Sequence, residues 1–139
     1  MTDEKLPVAE FAFSGPLRDK LVAAILDGRK ISTSSLLAEY QAGEALPEVG
    51  ARELVIDSAG ESVAVIETIQ VDLVRLADVG LDHAIAEGEG FRSVAEWRAA
   101  HLEFWRGEEL RAERAGLGLP ALTIDDDTMV VAQRFRRIT

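Results

Sequence analysis

Cysteine is absent from the 139 residues, which excludes disulfides, thiolate zinc sites and a cysteine nucleophile. No apolar run approaches the ~18 residues that a membrane-spanning helix needs. The opening Met1-Thr2-Asp3-Glu4-Lys5 has no basic start followed by an apolar stretch, so no signal peptide is expected. A soluble, cytoplasmic protein with no membrane partner is the expectation. Positive charge is scarce: 15 Lys and Arg stand against 25 Asp and Glu, a formal net charge of −10. Nonspecific binding to a long nucleic acid draws its affinity from neutralised phosphates, so that partner class is not expected. A phosphate-binding glycine fingerprint, a zinc-protease helix and a serine nucleophile elbow are all missing. Asp125-Asp126-Asp127 lacks the loop pattern of a calcium hand and precedes a strand, so it reads as a solvated turn. No metal or cofactor is expected.

What is present fits one folded domain, since 47% of the residues are hydrophobic. Residues 1–14 read as an N-terminal segment and 15–139 as a single domain. Leu17, Leu21, Ala24 and Ile25 fall on one helical face over 17–27, with Pro16 in the first turn and Gly28 just past the end. Residues 35–42 suggest a short helix carrying Leu36, Leu37 and Tyr40. A hairpin follows, with strands over 53–57 and 62–75 around Ser58-Ala59-Gly60. In its second strand Val63, Val65, Ile69, Val71 and Leu73 share one parity and are expected to face the core. A short helix starts at Asp82, Ser93-Val94-Ala95-Glu96 has the form of a capping box, and a long helix continues from it through Arg114. The last strand spans 129–138.

Several residues carry chemistry. Gly28-Arg29-Lys30-Ile31-Ser32-Thr33 sets an amine and a hydroxyl three residues apart at the end of the first helix. The pair fits a general base beside a nucleophile, or a cation and donor gripping a polar ligand. Two ordinary surface residues would show the same spacing. Glu67 lies in the apolar register of its strand, where a carboxylate needs a partner such as Lys30, unless a bulge near Ile66 turns it outward. In Glu87-Gly88-Glu89-Gly90 two carboxylates sit on a backbone able to approach a ligand closely. Trp97, His101, Phe104 and Trp105 form a stripe at helical spacing, the pattern of a core face, with His101 read as packed and satisfied at one ring nitrogen. Arg29, Lys30, Arg134, Arg136 and Arg137 would make a basic patch if the fold gathered them; otherwise they are a solvated strand end.

Taken in order, these segments are similar to a known family. Gly28-x-Lys30-x-x-Thr33 resembles the signature of ASCH domains (activating signal cointegrator homology), in the PUA-like superfamily. The resemblance continues through Leu46-Pro47-x-x-Gly50, Val63-Ala64-Val65-Ile66-Glu67 and Glu87-Gly88-Glu89-Gly90. It extends over Ser93, Trp97-Arg98-x-x-His101-x-x-Phe104-Trp105, Val130-Val131 and Arg134-Phe135, covering the chain from about Gly15 onward. It implies an α+β fold, a PUA-like mixed β-barrel of about six strands capped by helices, with a cleft beside the glycine-lysine turn. It also implies a nucleoside- or RNA-related function. A compact bacterial branch hydrolyses N4-acetylcytidine with a Lys, a Thr three residues later and a distant Glu. Other bacterial members cleave RNA, and eukaryotic members act in transcription-associated complexes.

Carried onto this chain, the resemblance makes Lys30, Thr33 and Glu87 the candidate catalytic residues, with Glu89 as the alternative carboxylate. Gly28, Arg29, Ser35, Glu67, Glu89, Trp97 and His101 are the candidate substrate-binding residues. Ser35 stands where the fuller motif often has Arg, and the chain exceeds the acetylcytidine branch in length, chiefly through the helix after Ser93. Three functions follow: an amidohydrolase acting on an acylated cytidine-like substrate, a non-catalytic module binding RNA or a modified nucleobase, or a ribonuclease on single-stranded RNA. The first needs a lysine neutralised in a dry cleft to take the Thr33 proton, and a close carboxylate opposes that neutralisation. In the second, Trp97 or Trp105 would stack on the base. The partner is a small nucleoside-like ligand or short RNA in each case, and oligomeric state is not legible.

Overall fold

The computed structural model describes residues 6–139; Met1–Lys5, on which the expected absence of a signal peptide rests, lie outside the described residues. Strand β1 (Val8–Ala9) leads to helix α1 (Pro16–Leu26), strand β2 (Ser32–Leu36) and a 3-10 turn at Leu37–Glu39. The hairpin β3 (Arg52–Ile56) and β4 (Ser62–Arg75) follows, then α2 (Leu81–Ala86), α3 (Val94–Trp105), α4 (Glu108–Gly116) and β5 (Met129–Arg137). The strands form one mixed sheet in the order β1-β3-β4-β5-β2. β1 runs parallel to β3, and the other pairs are antiparallel. The fold is therefore α+β, with five strands where the resemblance implied about six. β2 and β1 are the outer strands, with no ladder between them among the described residues.

Both faces of the sheet are covered. α1 packs on one, where Leu21, Val22 and Ile25 meet Val55, Ala64, Ile66 and Phe135. On the other, Leu36 and Val130 join Ala84 of α2, Trp97 and Trp105 of α3 and Leu110 of α4. Burial of this kind stabilises by roughly 25 cal/mol per Å² of apolar surface, so these two clusters supply the main force holding the site's elements in place.

The structure corrects four local expectations. In β4 the buried row is Ala64, Ile66 and Thr68, while Ile69 and Leu73 are exposed. Apolar residues occupy both parities of this strand, and a register shift between Thr68 and Gln70 breaks the alternation beyond that row. Residues 35 and 36 extend β2 instead of opening a helix, because β5 offers ladder partners from Ser32↔Arg134 to Leu36↔Val130. Gly107 separates α3 from α4, so the expected single helix is two. In α1 Leu17 is exposed and Arg18 is buried, bonded to the carbonyl oxygens of Phe11 and Ala12.

Candidate functional site

The site forms where the end of α1 meets the loop after α2. The amides of Arg29 and Lys30 both donate to the Ala24 carbonyl at 3.0 Å, so the chain turns sharply at the helix end. Gly28, at φ 88°, permits that turn. Ile31 N–H then bonds the Ala86 carbonyl at 2.9 Å, docking α2 beside the start of β2. Gly88 holds φ 70°, and a Cβ there would fall on the Arg29 carbonyl and the Lys30 nitrogen. Only glycine lets this loop lie directly on residues 29–30. The consequence is that Glu87 and Glu89 both approach Lys30.

Lys30 is 2% exposed. Its Nζ donates to Ser32 O at 3.0 Å, Glu87 O at 3.3 Å and Glu89 Oε2 at 3.2 Å, with Glu87 Oε1 at 3.7 Å. The three bonded acceptors match the three hydrogens of an ammonium. The Phe11 ring lies 5.8 Å from Nζ, within cation–π range. β2 is an outer strand, so Ser32 O faces an open sheet edge and the lysine occupies the place of a missing ladder partner.

Glu87, 1% exposed, is the hub. Its Oε1 accepts from His101 Nε2 at 3.0 Å; its Oε2 accepts from Trp97 Nε1 at 2.7 Å and Ser34 Oγ at 2.5 Å. His83 Nε2 lies 3.1 Å from the same Oε2 and 2.6 Å from Ser34 Oγ. Burial pushes the Glu87 pKa up, but the His101 and His83 bonds and the Lys30 charge outweigh it and hold it well below the usual carboxylate range. Burial pushes Glu89 up and Lys30 offsets only part of that, so its pKa ends raised. Burial disfavours the charged form of His101, yet its bond to Glu87 prevails and raises its pKa. His101 Nδ1 also bonds Trp97 O at 2.8 Å, so both ring nitrogens are engaged, as an imidazolium requires. Glu89, His101 and His83 keep side-chain exposures of 15%, 14% and 13%, which opens the cluster to solvent on one side.

Of the sequence candidates, Lys30, Glu87, Glu89, His101 and Trp97 come together. Thr33 does not join them by a hydrogen bond among the described residues. Strand alternation sends Ser32 and Ser34 toward α2, and Thr33 and Ser35 toward the α1 face. Glu67 stays apart, bonded to Arg136 at 3.0 Å with Arg52 at 3.7 Å; Lys30 is not its partner. Arg29 is exposed and paired with Asp27, and Arg137 is bonded to Leu26 O, so the arginines do not gather with the buried lysine. Trp97 and Trp105 are buried at 0% and 3% exposure, which leaves neither a face for a base. Ser34 and His83 escaped the sequence reading. His83 stands one helical turn before Glu87, and Ser34 alternates with Ser32; both spacings are visible signals.

Glu87, Glu89 and His101 bring three metal-ligand atoms within 4.8 Å of one another. The Lys30 ammonium bonded to Glu89 already supplies the positive charge, so the donor set fits an ion-pair network better than a cation site. Asp125–Asp127 form a surface turn paired with Arg98 and Arg75. No helix among the described residues is long and apolar enough to cross a membrane.

Comparison with known proteins agrees with this fold. The model of the ASCH domain matches residues 9–139. The crystal structure of an ASCH domain from Lactobacillus crispatus JV V101 is similar, at 28% identity and TM-score 0.79, over 95% of this chain and 79% of that one. Protein EF3133 from Enterococcus faecalis V583 shares the fold at 24% identity and TM-score 0.81, over 99% of this chain and 79% of that one. No curated protein matches. With the family model covering nearly the whole chain, this protein belongs to the ASCH domain family.

Proposed function

We propose that the chain recognises a nucleoside or short RNA-derived ligand at the Lys30 cluster and removes an acyl group there from an N4-acylated, cytidine-like base. The observation that carries this reading is a buried lysine gripped by two carboxylates, one of which reaches solvent. Such a cluster is costly to bury and contributes little net stability, so a role in binding explains it better than packing does. ASCH domains are associated with RNA-related binding, which favours a nucleoside over other small polar ligands.

The contacts favour Lys30 as a cation over Lys30 as a base. In the scheme they support, water attacks the acyl carbon while Glu89, its pKa raised by burial, takes the proton. Lys30 turns one N–H from Glu89 to the carbonyl oxygen and holds the developing oxyanion. Collapse breaks the C–N bond, and Glu89 returns the proton to the leaving nitrogen. Carboxylic acid and free amine result. Glu87, fixed by Ser34, Trp97 and His101, positions Lys30. Those fixed bonds also support a second reading, binding without chemistry.

Calorimetric titration with N4-acetylcytidine and cytidine tests the site. Wild type is expected to bind, and folded Lys30→Met to lose at least about tenfold in affinity, the ~1.4 kcal/mol scale of one charge-assisted hydrogen bond. Absence of binding by wild type, or equal binding by the variant, sinks the proposal.

A further inference from the structure

Another buried cation sits in the last turn of α4 and shares no partner with the Lys30 cluster. Arg114 is 8% exposed, and the one side-chain hydrogen bond it makes among the described residues runs from Nε to Pro120 O at 2.9 Å. Its backbone carbonyl accepts Leu117 N–H at 3.1 Å and Leu119 N–H at 2.8 Å, so the chain after the helix folds back over this residue. Holding that loop uses one of the five guanidinium hydrogens. The other four have no partner among the described residues, and no carboxylate there comes within ion-pair distance. A buried charge left short of acceptors is costly unless something supplies them.

The returning loop and the helix enclose a groove beside this side chain. One wall is a face of α4, where Glu108, Arg111, Ala112 and Ala115 recur at helical spacing; the other is Leu119 and Ala121. Its volume is about 390 Å³, within the range of small-molecule sites. Pro120, which accepts the Nε bond, stands between Leu119 and Ala121, so the guanidinium lies at the groove wall. Arg111 is exposed and bonds no side chain among the described residues. A smaller hollow of about 160 Å³, also bordered by Arg114, is lined by Glu39, Glu44 and Glu113. Glu39 accepts Leu36 N–H at 2.7 Å and does not pair with the arginine.

We infer that the Arg114 groove binds a short aliphatic monocarboxylate, its carboxylate on the Arg114 and Arg111 guanidinium groups and its tail along Ala112, Ala115, Leu119 and Ala121. A planar guanidinium with two free NH2 groups matches the two oxygens of one carboxylate. The alanines leave room for a few methylenes and ask nothing polar of the tail. Glu108 on the lining, with Glu39, Glu44 and Glu113 around the neighbouring hollow, sets a negative field against a second charge on the ligand. That field disfavours phosphate and dicarboxylates. The site is independent of the nucleoside reading.

The test is an NMR titration of the full chain with sodium butyrate, and in parallel with inorganic phosphate. Wild type is expected to show saturable shifts of the Leu119 and Ala121 amides with butyrate, and to bind phosphate at least about tenfold more weakly. Folded Arg114→Met is expected to lose at least about tenfold in butyrate affinity. Because that change also removes the bond to Pro120, Ala115→Leu is the second variant. It fills the groove with the guanidinium in place and is expected to weaken butyrate by a similar factor. Lys30→Met is expected to bind butyrate as wild type does. No saturable shift in wild type, or undiminished affinity in either folded groove variant, overturns the site. Loss of butyrate binding in Lys30→Met does the same by moving the anion to the ion cluster, and phosphate bound as tightly as butyrate overturns the choice of a monocarboxylate. The nucleoside titration is a separate measurement, so either proposal can fail alone.

Discussion

At the residue scale the protein concentrates its charge on one buried carboxylate. Glu87 is bound by Ser34, Trp97 and His101, with His83 and Lys30 close by, so its ionised form is held against the cost of burial. The linkage to His101 has a definite sign. The folded pKa of His101 lies above its unfolded value, so the bond to Glu87 stabilises fully below about pH 6.5 and is lost as pH rises through the raised value. The Glu87 partner has the opposite limit, because its lowered pKa removes the contribution only as pH falls well below about 4.5. The stability gap between wild type and His101→Gln is thus expected to be widest between about pH 4.5 and 6.5 and to narrow above it. Urea unfolding across that range checks this; a gap that grows with rising pH contradicts it. Lys30, Glu87 and Glu89 stood out as site candidates in the sequence through their glycine-flanked positions together with the family resemblance, whereas Thr33, named with them, lies in β2 and outside the cluster. The side of β2 on which Thr33 falls was not legible, since it depends on the strand's register with β5.

At the element scale the site depends on how closely two loops approach. Gly88 and Gly90 both have positive φ, but a side chain at 88 would strike residues 29–30 whereas one at 90 meets open space. Gly90→Ala is expected to cost about 1–2 kcal/mol from backbone strain alone. Gly88→Ala is expected to cost clearly more and to displace Lys30 from Glu89, weakening ligand binding as well. Paired melting curves decide the point, and equal losses for the two variants contradict the packing described. The hairpin β3–β4 was readable because Ser58-Ala59-Gly60 is a strong turn signal between two β-rich runs. Which face of β4 lies inward was not, because apolar residues occupy both parities and the shift at Thr68/Gln70 is silent in the pattern. β2 was hidden for another reason. Four of its five residues are Ser or Thr, and only the ladder with β5 makes it a strand.

At the scale of the whole molecule, an acidic chain encloses a small, internally balanced ion cluster. The net charge of −10 works against a long polyanion. The exposed arginines Arg29 and Arg136 are paired with local carboxylates, and the lysine that matters is buried. Retention of a homopolymer RNA at physiological salt is accordingly expected to be negligible in a gel-shift experiment, and a tight, salt-sensitive shift would contradict that. Hydrolysis at the Lys30 cluster is decided by chromatographic turnover of N4-acetylcytidine with purified wild type and folded Lys30→Met. Cytidine is expected from the wild type and not from the variant. Cytidine from both, or from neither, contradicts it.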